Sequence, residues 1–249
     1  MNPFERHGIQ HLSPSACSLF TGSPAMFVLE KLLKRRQPVG PAAHRGTATE
    51  TGIVHGLTEG ATAGECVAKA LAQFDQLTAL LPGQKTEKER ANIPGMISEG
   101  LKELLPYGKP TATQGKIEYK FDGLDVPFIG YFDLEWGQHG ILTDIKTTNA
   151  MPSAIKVAHA RQVALYAAAQ GNNISPRVTY VTPKKSVTYL LENAEKHLDD
   201  LRLIGMTIQR FLAKSDDPLE LASLLVPDVD SFYFSDPAVR HEAFKVWGI

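Results

Sequence analysis

Apolar and polar side chains alternate along the middle of the chain, from about residue 116 to residue 147. A two-residue period is typical of β-strands that bury one face. The alternation predicts three consecutive strands: Lys116–Phe121, Phe128–Trp136 and Ile141–Thr147. Glycine-containing turns separate these strands, so we expect an antiparallel meander.

On both sides of the meander the apolar positions recur every three or four residues, which indicates amphipathic helices. The predicted helices are 14–36, with a break near Gly22-Ser23-Pro24, then 47–59, 63–81, 153–170 and 192–214. Two further strands are predicted at 177–182 and 186–191.

The polar segment Pro82–Pro110 contains several glycines and prolines, and it is predicted to be a mobile connector with one short helix near Pro94–Leu105. The order of elements predicts an α/β (α+β) fold. We expect a single domain over residues 1–249, with a helical N-terminal part at about 12–110 and a sheet-plus-helix core at about 115–214.

The composition is that of an ordinary globular protein, with 43% hydrophobic and 21% charged residues. The 26 lysines and arginines balance 27 aspartates and glutamates, for a net charge of −1, so any nucleic-acid binding must be local. No apolar run approaches the roughly 18 residues of a membrane span, and the first residues lack a signal-peptide pattern. We therefore expect a cytoplasmic protein that does not insert into membranes.

The turn between the second and third predicted strands places two acidic residues opposite each other. If Gly137–Gly140 forms the loop, counting outward sets the register of the hairpin and pairs Asp133 with Asp144. Directly opposed like charges destabilise a sheet, so we expect a cation near them. Lys146 lies two residues beyond Asp144 and points to the same face.

Two carboxylates and an amine on one face suit metal-assisted hydrolysis. Carboxylate oxygens are the ligands that Mg²⁺ and Mn²⁺ prefer, and a bound ion can lower the pKa of water and neutralise a phosphoryl oxygen. A neighbouring lysine can orient or deprotonate the attacking water. The alternative is a structural Asp–Lys pair on an exposed sheet face, because Asp-x-Lys is a common tripeptide.

Five short motifs occur in a characteristic order over about residues 12–190. They are Leu12-Ser13-Pro14-Ser15, Gly52-Ile53-Val54-His55, Gly130-Tyr131-Phe132-Asp133-Leu134, the Asp-x-Lys-Thr core within Leu142–Thr148, and Gln162-x-x-x-Tyr166. In this order they resemble the PD-(D/E)XK nuclease superfamily and, within it, the RecB-like exonuclease branch. The resemblance implies a restriction-endonuclease-like core, which is a mixed central sheet flanked by helices.

The resemblance also implies a Mg²⁺ or Mn²⁺ site. Its ligands would be the side chains of His55, Asp133 and Asp144 and the backbone carbonyl of Ile145, and Lys146 would be the catalytic lysine.

Three further residues take candidate roles from the resemblance. Gln162 would steady the active-site strand or the substrate, and Tyr166 would contact the nucleic acid. Glu50 is a second candidate ligand, because Arg45–Glu50 resembles the glutamate helix of phage-type exonucleases.

The sequence lacks two features that many members of the wider family have. Many relatives carry four cysteines that bind an iron–sulfur cluster, whereas Cys17 and Cys66 are far apart, so we expect no such cluster. The phosphate-loop motif of a fused helicase is also missing from the sequence. The nuclease would act alone or with a motor in trans.

The function that this pattern favours is a metal-dependent phosphodiesterase, a deoxyribonuclease that acts as an exonuclease in recombination, repair or phage DNA metabolism. Its partners would be single- or double-stranded DNA ends, with a recombinase, a single-strand-binding protein or a helicase in trans. One alternative is a structure-specific or restriction-type endonuclease on the same fold. The other is a catalytically silent DNA-binding module, against which the full set of Asp133, Asp144 and Lys146 argues.

A basic cluster near the N-terminus permits two interpretations. Lys31, Lys34, Arg35 and Arg36 form the end of the first predicted helix, where cations are favourable against the negative end of the helix dipole. We favour that interpretation, and a phosphate contact is the alternative.

Overall fold

The computed structural model describes residues 1–36, 38–171 and 173–248. The chain forms two compact units. The first comprises Met1–Pro38, Glu118–Gly130 and Glu195–Ile249, and the second comprises Val39–Ile117 and Tyr131–Ala194. The organisation of the whole chain as a single domain stays a prediction.

Five strands form one mixed sheet in the order β1-β2-β3-β4-β5. The strands are β1 Ala112–Tyr119, β2 Phe128–Trp136, β3 Ile141–Thr147, β4 Ser175–Val181 and β5 Ser186–Leu190. The central strand, β3, pairs antiparallel with β2 and parallel with β4, and β4 pairs antiparallel with β5. The expected α+β architecture with a mixed sheet is confirmed, and β2 and β3 begin and end at the predicted residues.

The helices of the described residues are α1 Pro3–Arg6, α2 Pro14–Gly22, α3 Pro24–Phe27, α4 Pro41–Glu59, α5 Ala63–Leu77, α6 Gln84–Leu104, α7 Val157–Gln170, α8 Ala194–Leu212, α9 Pro218–Ser223 and α10 Pro237–Trp247. A π-helical turn, Val28–Leu32, continues α3. The predicted break after α2 is confirmed, because Ser23 ends that helix and accepts the Met26 amide at 3.2 Å to cap α3. Within the described ranges, no helix is both long enough and apolar enough to cross a membrane.

The predicted mobile connector at Pro82–Pro110 is wrong, because the 21-residue helix α6 occupies most of it. The buried residues Ile93, Ile97 and Leu104 lie on one side of this helix. Pro94 lies inside the helix, where its missing N–H and its ring cost roughly 3 kcal/mol. Burial of the apolar side in the core outweighs that cost, so the helix continues through the proline.

The core of the second unit lies between the sheet and helices α4, α5 and α6. The sheet contributes Leu134, Trp136 and Ile145, which pack in the same cluster as the apolar residues of these helices. At Gly52 of α4 an added Cβ would lie 2.4 Å from Ile97 Cδ1 and 2.8 Å from a backbone oxygen of α5. The glycine therefore permits a close approach that fixes the position of α4.

The first unit has a smaller core of its own. Residues of α3 and the π-helical turn pack against Phe234 and against Val239 and Ala243 of α10. Ser13 begins α2 by accepting the Ala16 amide at 3.2 Å, as expected for a serine before a helix that starts with proline.

Candidate active site

The β2–β3 hairpin has the register that the spacing predicts. The described pairs are Leu134 with Thr143, Glu135 with Leu142, and Trp136 with Ile141. Beyond these pairs, Asp133 Oδ2 accepts a hydrogen bond from the Ile145 amide at 2.6 Å. The Asp133 carboxylate therefore reaches across to the middle of β3, beside Asp144.

Asp144 is the most enclosed member of the site, with 1% of its surface exposed. Lys146 Nζ lies 2.5 Å from Asp144 Oδ2, so the two residues face the same side of β3 as the period of two requires. From α7, Gln162 Nε2 donates to Asp144 Oδ1 at 3.0 Å and to the Tyr166 hydroxyl at 2.7 Å. Helix α7 thus holds one oxygen of the Asp144 carboxylate while Lys146 pairs with the other.

A third carboxyl group comes from α4. Glu50 shares a hydrogen bond with Asp133. The charge of Asp144 raises the pKa of Glu50, and the charge of Lys146 lowers it. Gln114 Nε2 of β1 also donates to Glu50 Oε1. The structure therefore brings Glu50, the second candidate from the sequence, to Asp133 and Asp144.

Burial and mutual repulsion disfavour the ionised forms of these groups. The pKa of Asp133 is raised well above its ordinary range, first by burial and then by the charges of Asp144 and Glu50. Burial also raises the pKa values of Glu50 and Asp144. Two carboxyl groups that share a hydrogen bond need a proton between them, or a cation that replaces the proton.

Lys146 supplies the positive charge that the sequence predicts near the carboxylates. Burial lowers the pKa of Lys146, but the charges of Asp144 and Asp133 outweigh burial, and the net shift is upward. Lys146 therefore stays protonated. Because it keeps its proton, it can donate hydrogen bonds and stabilise negative charge, but it cannot act as a base in this state.

Tyr166 is buried beside these groups, with 2% of its surface exposed. Burial, followed by the charge of Asp144, raises the pKa of its hydroxyl to about 12. The hydroxyl is therefore neutral at physiological pH and accepts the hydrogen bond from Gln162. A direct contact with nucleic acid stays a prediction for Tyr166, whose described hydrogen bond is internal.

Arg45 ties α4 to the end of β3, which positions Glu50 one and a half turns later on the same helix. The Arg45 guanidinium forms an ion pair with Glu89 of α6, and both residues are buried. Its Nη2 also donates to the Thr147 carbonyl at 3.4 Å and to the Thr147 hydroxyl at 3.3 Å. No local pattern indicates this role, because the two partners lie 44 and 102 positions away.

His55 lies one and a half turns after Glu50 on α4, and its Nδ1 is 3.2 Å from Lys69 Nζ of α5. Both residues line a groove of about 600 Å³ that also reaches Glu50. The described contacts of His55 are thus with α5 rather than with the carboxylates of the hairpin. Its role as a metal ligand stays a prediction.

His159, to which the sequence assigned no role, lies one turn before Gln162 on α7. Its Nδ1 is 2.7 Å from the Tyr180 hydroxyl, which also accepts the Lys156 amide at 3.0 Å. Burial, followed by the charges of Lys146 and Lys156, lowers the pKa of His159 to about 4. His159 is therefore neutral at physiological pH.

The geometry places three carboxyl groups and a protonated lysine around the central strand of a mixed sheet. A family model of the PD-(D/E)XK nuclease superfamily matches residues 11–229. The chain belongs to the PD-(D/E)XK nuclease superfamily. The superfamily consists of nucleases that use divalent metals, typically Mg²⁺ or Mn²⁺. No curated protein sequence matched the chain.

The donor chemistry of the site fits the metals of the PD-(D/E)XK superfamily. Glu50, Asp133 and Asp144 offer hard carboxylate oxygens, and the shared hydrogen bond between two of them marks a place where a cation would relieve repulsion. Across the described ranges, no three His, Cys, Asp or Glu side chains form a ready-made metal cage. In this structure Lys146 pairs with Asp144, and Gln114 donates to Glu50.

Proposed function

We propose that the chain is a divalent-metal-dependent DNA nuclease that hydrolyses phosphodiester bonds as an exonuclease of the RecB-like branch. The observation that carries this proposal is the convergence of Glu50, Asp133 and Asp144 beside the Lys146 ammonium. Membership of a nuclease superfamily supports the same chemistry. A structural Asp–Lys pair would not account for a third, half-buried carboxyl group at the same place.

In this proposal Glu50, Asp133, Asp144 and the Ile145 carbonyl hold Mg²⁺ or Mn²⁺. When bound, such an ion neutralises charge on the phosphate and lowers the pKa of the attacking water. We assign the ligand role to Glu50 in preference to His55, because Glu50 shares a hydrogen bond with Asp133 whereas His55 contacts Lys69.

Lys146 orients the water and stabilises negative charge at the phosphate through its Nζ protons. Its raised pKa supports this role rather than proton abstraction. Gln162 is a positioning residue, since it holds Asp144 Oδ1 while Lys146 pairs with Oδ2. Tyr166 in turn holds Gln162 through its neutral hydroxyl.

The exonuclease assignment rests on the Gln162-x-x-x-Tyr166 motif and on its contact with Asp144. A role in recombination, repair or phage DNA metabolism, with a recombinase, a single-strand-binding protein or a helicase in trans, belongs to the same proposal.

A time course on end-labelled DNA tests the reaction. Linear single-stranded and double-stranded substrates are compared with a closed circular plasmid, in Mg²⁺ or Mn²⁺ and in EDTA. We expect mononucleotides or short products from linear DNA with either metal, and no product in EDTA. Cleavage of the closed circle would replace the exonuclease proposal with an endonuclease. DNA binding without cleavage under all conditions would favour the silent module.

Matched lysine variants separate the site from general charge effects. Lys146→Met should lower the cleavage rate by about 100-fold or more, because the loss of one preorganised charge in an active site typically lowers kcat by that factor. Lys102→Met changes an exposed lysine of α6 and should leave the rate unchanged. Full activity in Lys146→Met would remove the proposed site.

A further inference from the structure

The basic cluster that follows α3 divides into two groups in the structure. Arg35 Nη1 lies 3.0 Å from Glu242 Oε2, so Arg35 has an ion-pair role within the first unit. Lys34 Nζ donates to the Lys31 carbonyl at 2.7 Å, near the end of the π-helical turn. The ion pair with Glu242 therefore accounts for Arg35, and the helix-end interpretation accounts for part of what Lys34 does.

The remaining cationic surface faces a cavity of about 210 Å³ in the first unit. Lys31, Lys34 and Arg36 line it from one segment, and Gln10, His11 and Ser13 line it from another. None of its described lining residues is an aspartate or glutamate. Lys31 Nζ lies 4.0 Å from Glu30 Oε2, a carboxylate that does not line the cavity. Lys34 and Arg36 therefore supply most of the local positive charge, in a chain whose net charge is −1.

The other polar lining residues are suited to phosphate oxygens. Gln10, His11 and Ser13 can each donate a hydrogen bond, and Ser13, which caps α2, and Ala16 in its first turn both border the cavity. The N-terminus of a helix carries a partial positive charge. Side chains of these types, together with helix N-termini, commonly contact the nucleic-acid backbone without reading its sequence.

We propose that this cavity binds backbone phosphates of the DNA substrate, an inference that rests on the proposed nuclease function. Lys34 and Arg36 are exposed to solvent and Lys31 is partly exposed. Exposed cations bind a single free phosphate weakly, whereas a polyanion gains affinity from each contact along its length. The cavity therefore favours a nucleic-acid strand over a free phosphate ion.

Salt-dependent binding of labelled DNA tests the proposal. Fluorescence anisotropy is measured in EDTA, which stops the proposed cleavage, over a range of salt concentrations. The variant carries Lys31→Gln, Lys34→Gln and Arg36→Gln. Each lost phosphate contact should lower the slope of log K against log salt by about 0.7–0.9, so we expect a total fall of about 2 and an affinity at low salt lower by roughly 10-fold or more.

The control variant carries Lys196→Gln, Arg210→Gln and Lys214→Gln, three exposed cations of the same unit. It has the same net charge and should keep the wild-type slope. Equal slopes in the two triple variants would overturn the proposal. If the test variant fails to fold, the single change Arg36→Gln at an exposed position still predicts a fall of about 0.7–0.9.

Two further arms identify the ligand and separate this inference from the proposed function. Displacement of DNA by millimolar inorganic phosphate, acting beyond its ionic strength, would indicate a site for free phosphate and overturn the proposal. Cleavage of DNA with an unchanged salt slope would mean that the cavity proposal fails alone. A reduced slope in the test variant, together with a wild-type protein that never cleaves DNA, would mean that the nuclease proposal fails alone.

Discussion

Replacing Asp133 with asparagine should make the metal-free protein more stable at alkaline pH, although it removes a proposed metal ligand. The asparagine oxygen can still accept the Ile145 amide, which Asp133 Oδ2 accepts at 2.6 Å. The substitution therefore removes a charge and keeps the hydrogen bond. The charge that it removes is repelled by Asp144 and Glu50.

The size of the gain follows from the charges around Asp133. Two like charges about 5 Å apart repel by about 3 kcal/mol at an effective dielectric constant of about 20. The Lys146 ammonium, which pairs with Asp144, also attracts Asp133 and offsets part of this repulsion. We expect a net gain of about 1–2 kcal/mol, or roughly 2–8 °C in Tm for a chain of this size.

The gain should depend on pH with a defined sign. The pKa of Asp133 is raised in the folded protein, so the cost of ionising it is paid only in the folded state. The advantage of the asparagine variant is full above that folded-state pKa. It shrinks as the pH falls and disappears below the ordinary aspartate value of about 3.9.

Urea unfolding in EDTA at about pH 8 and about pH 5 measures these differences. Asp122→Asn, an exposed change in the turn after β1, is the control and should shift stability by less than about 0.5 kcal/mol.

Lys146→Met should act in the opposite direction, with a loss of about 3 kcal/mol, because it leaves buried Asp144 without its cation. An asparagine variant less stable than the wild type at alkaline pH would refute the reasoning.

Three other predictions concern the metal and the scaffold. Mg²⁺ or Mn²⁺ should stabilise the folded wild type by about 2.7 kcal/mol at 100 times Kd. Differential scanning fluorimetry should show this as a rise in Tm, which should be absent in Asp133→Asn. Glu89→Ala should cost about 3–5 kcal/mol in urea unfolding because it leaves the buried Arg45 guanidinium unpaired; an effect below about 1 kcal/mol would contradict a buried ion pair. Gly52→Ala should cost about 1–3 kcal/mol by overpacking the helices, whereas Gly64→Ala, in open space on α5, should stabilise by up to about 1 kcal/mol.

The hairpin could be predicted from local sequence because its determinants are local. Alternating side chains define the buried face, and a glycine at each end of a four-residue loop sets the register of β2 and β3. Once that register is set, the two-residue period of each strand places Asp133, Asp144 and Lys146 on the same face. The same reasoning explains why the predicted bounds of β2 and β3 were correct to the residue, whereas those of β1, β4 and β5 were not.

Helix α6 could not be predicted by this approach because its stability comes from partners far along the chain. Its sequence contains Pro94, Gly95 and Gly100, residue types that by local propensity oppose a helix interior. The buried side of α6 packs in a cluster with α4, α5 and the sheet. That burial exists only after the chain has folded.

The choice between His55 and Glu50 as the third proposed metal ligand shows most clearly what local sequence predicts and what packing decides. The sequence offered His55 and Glu50, five residues apart on one helix, as candidate ligands, and a helical period cannot say which side of α4 faces the hairpin. Local pattern was sufficient for the strands, the register and the Asp-x-Lys face. Packing decided the position of α4. The close contact at Gly52 and the bonds from Arg45 to Glu89 and Thr147 hold this helix in place. That position brings Glu50 to Asp133. A helix is oriented by what it is packed against, and those partners are distant in the chain.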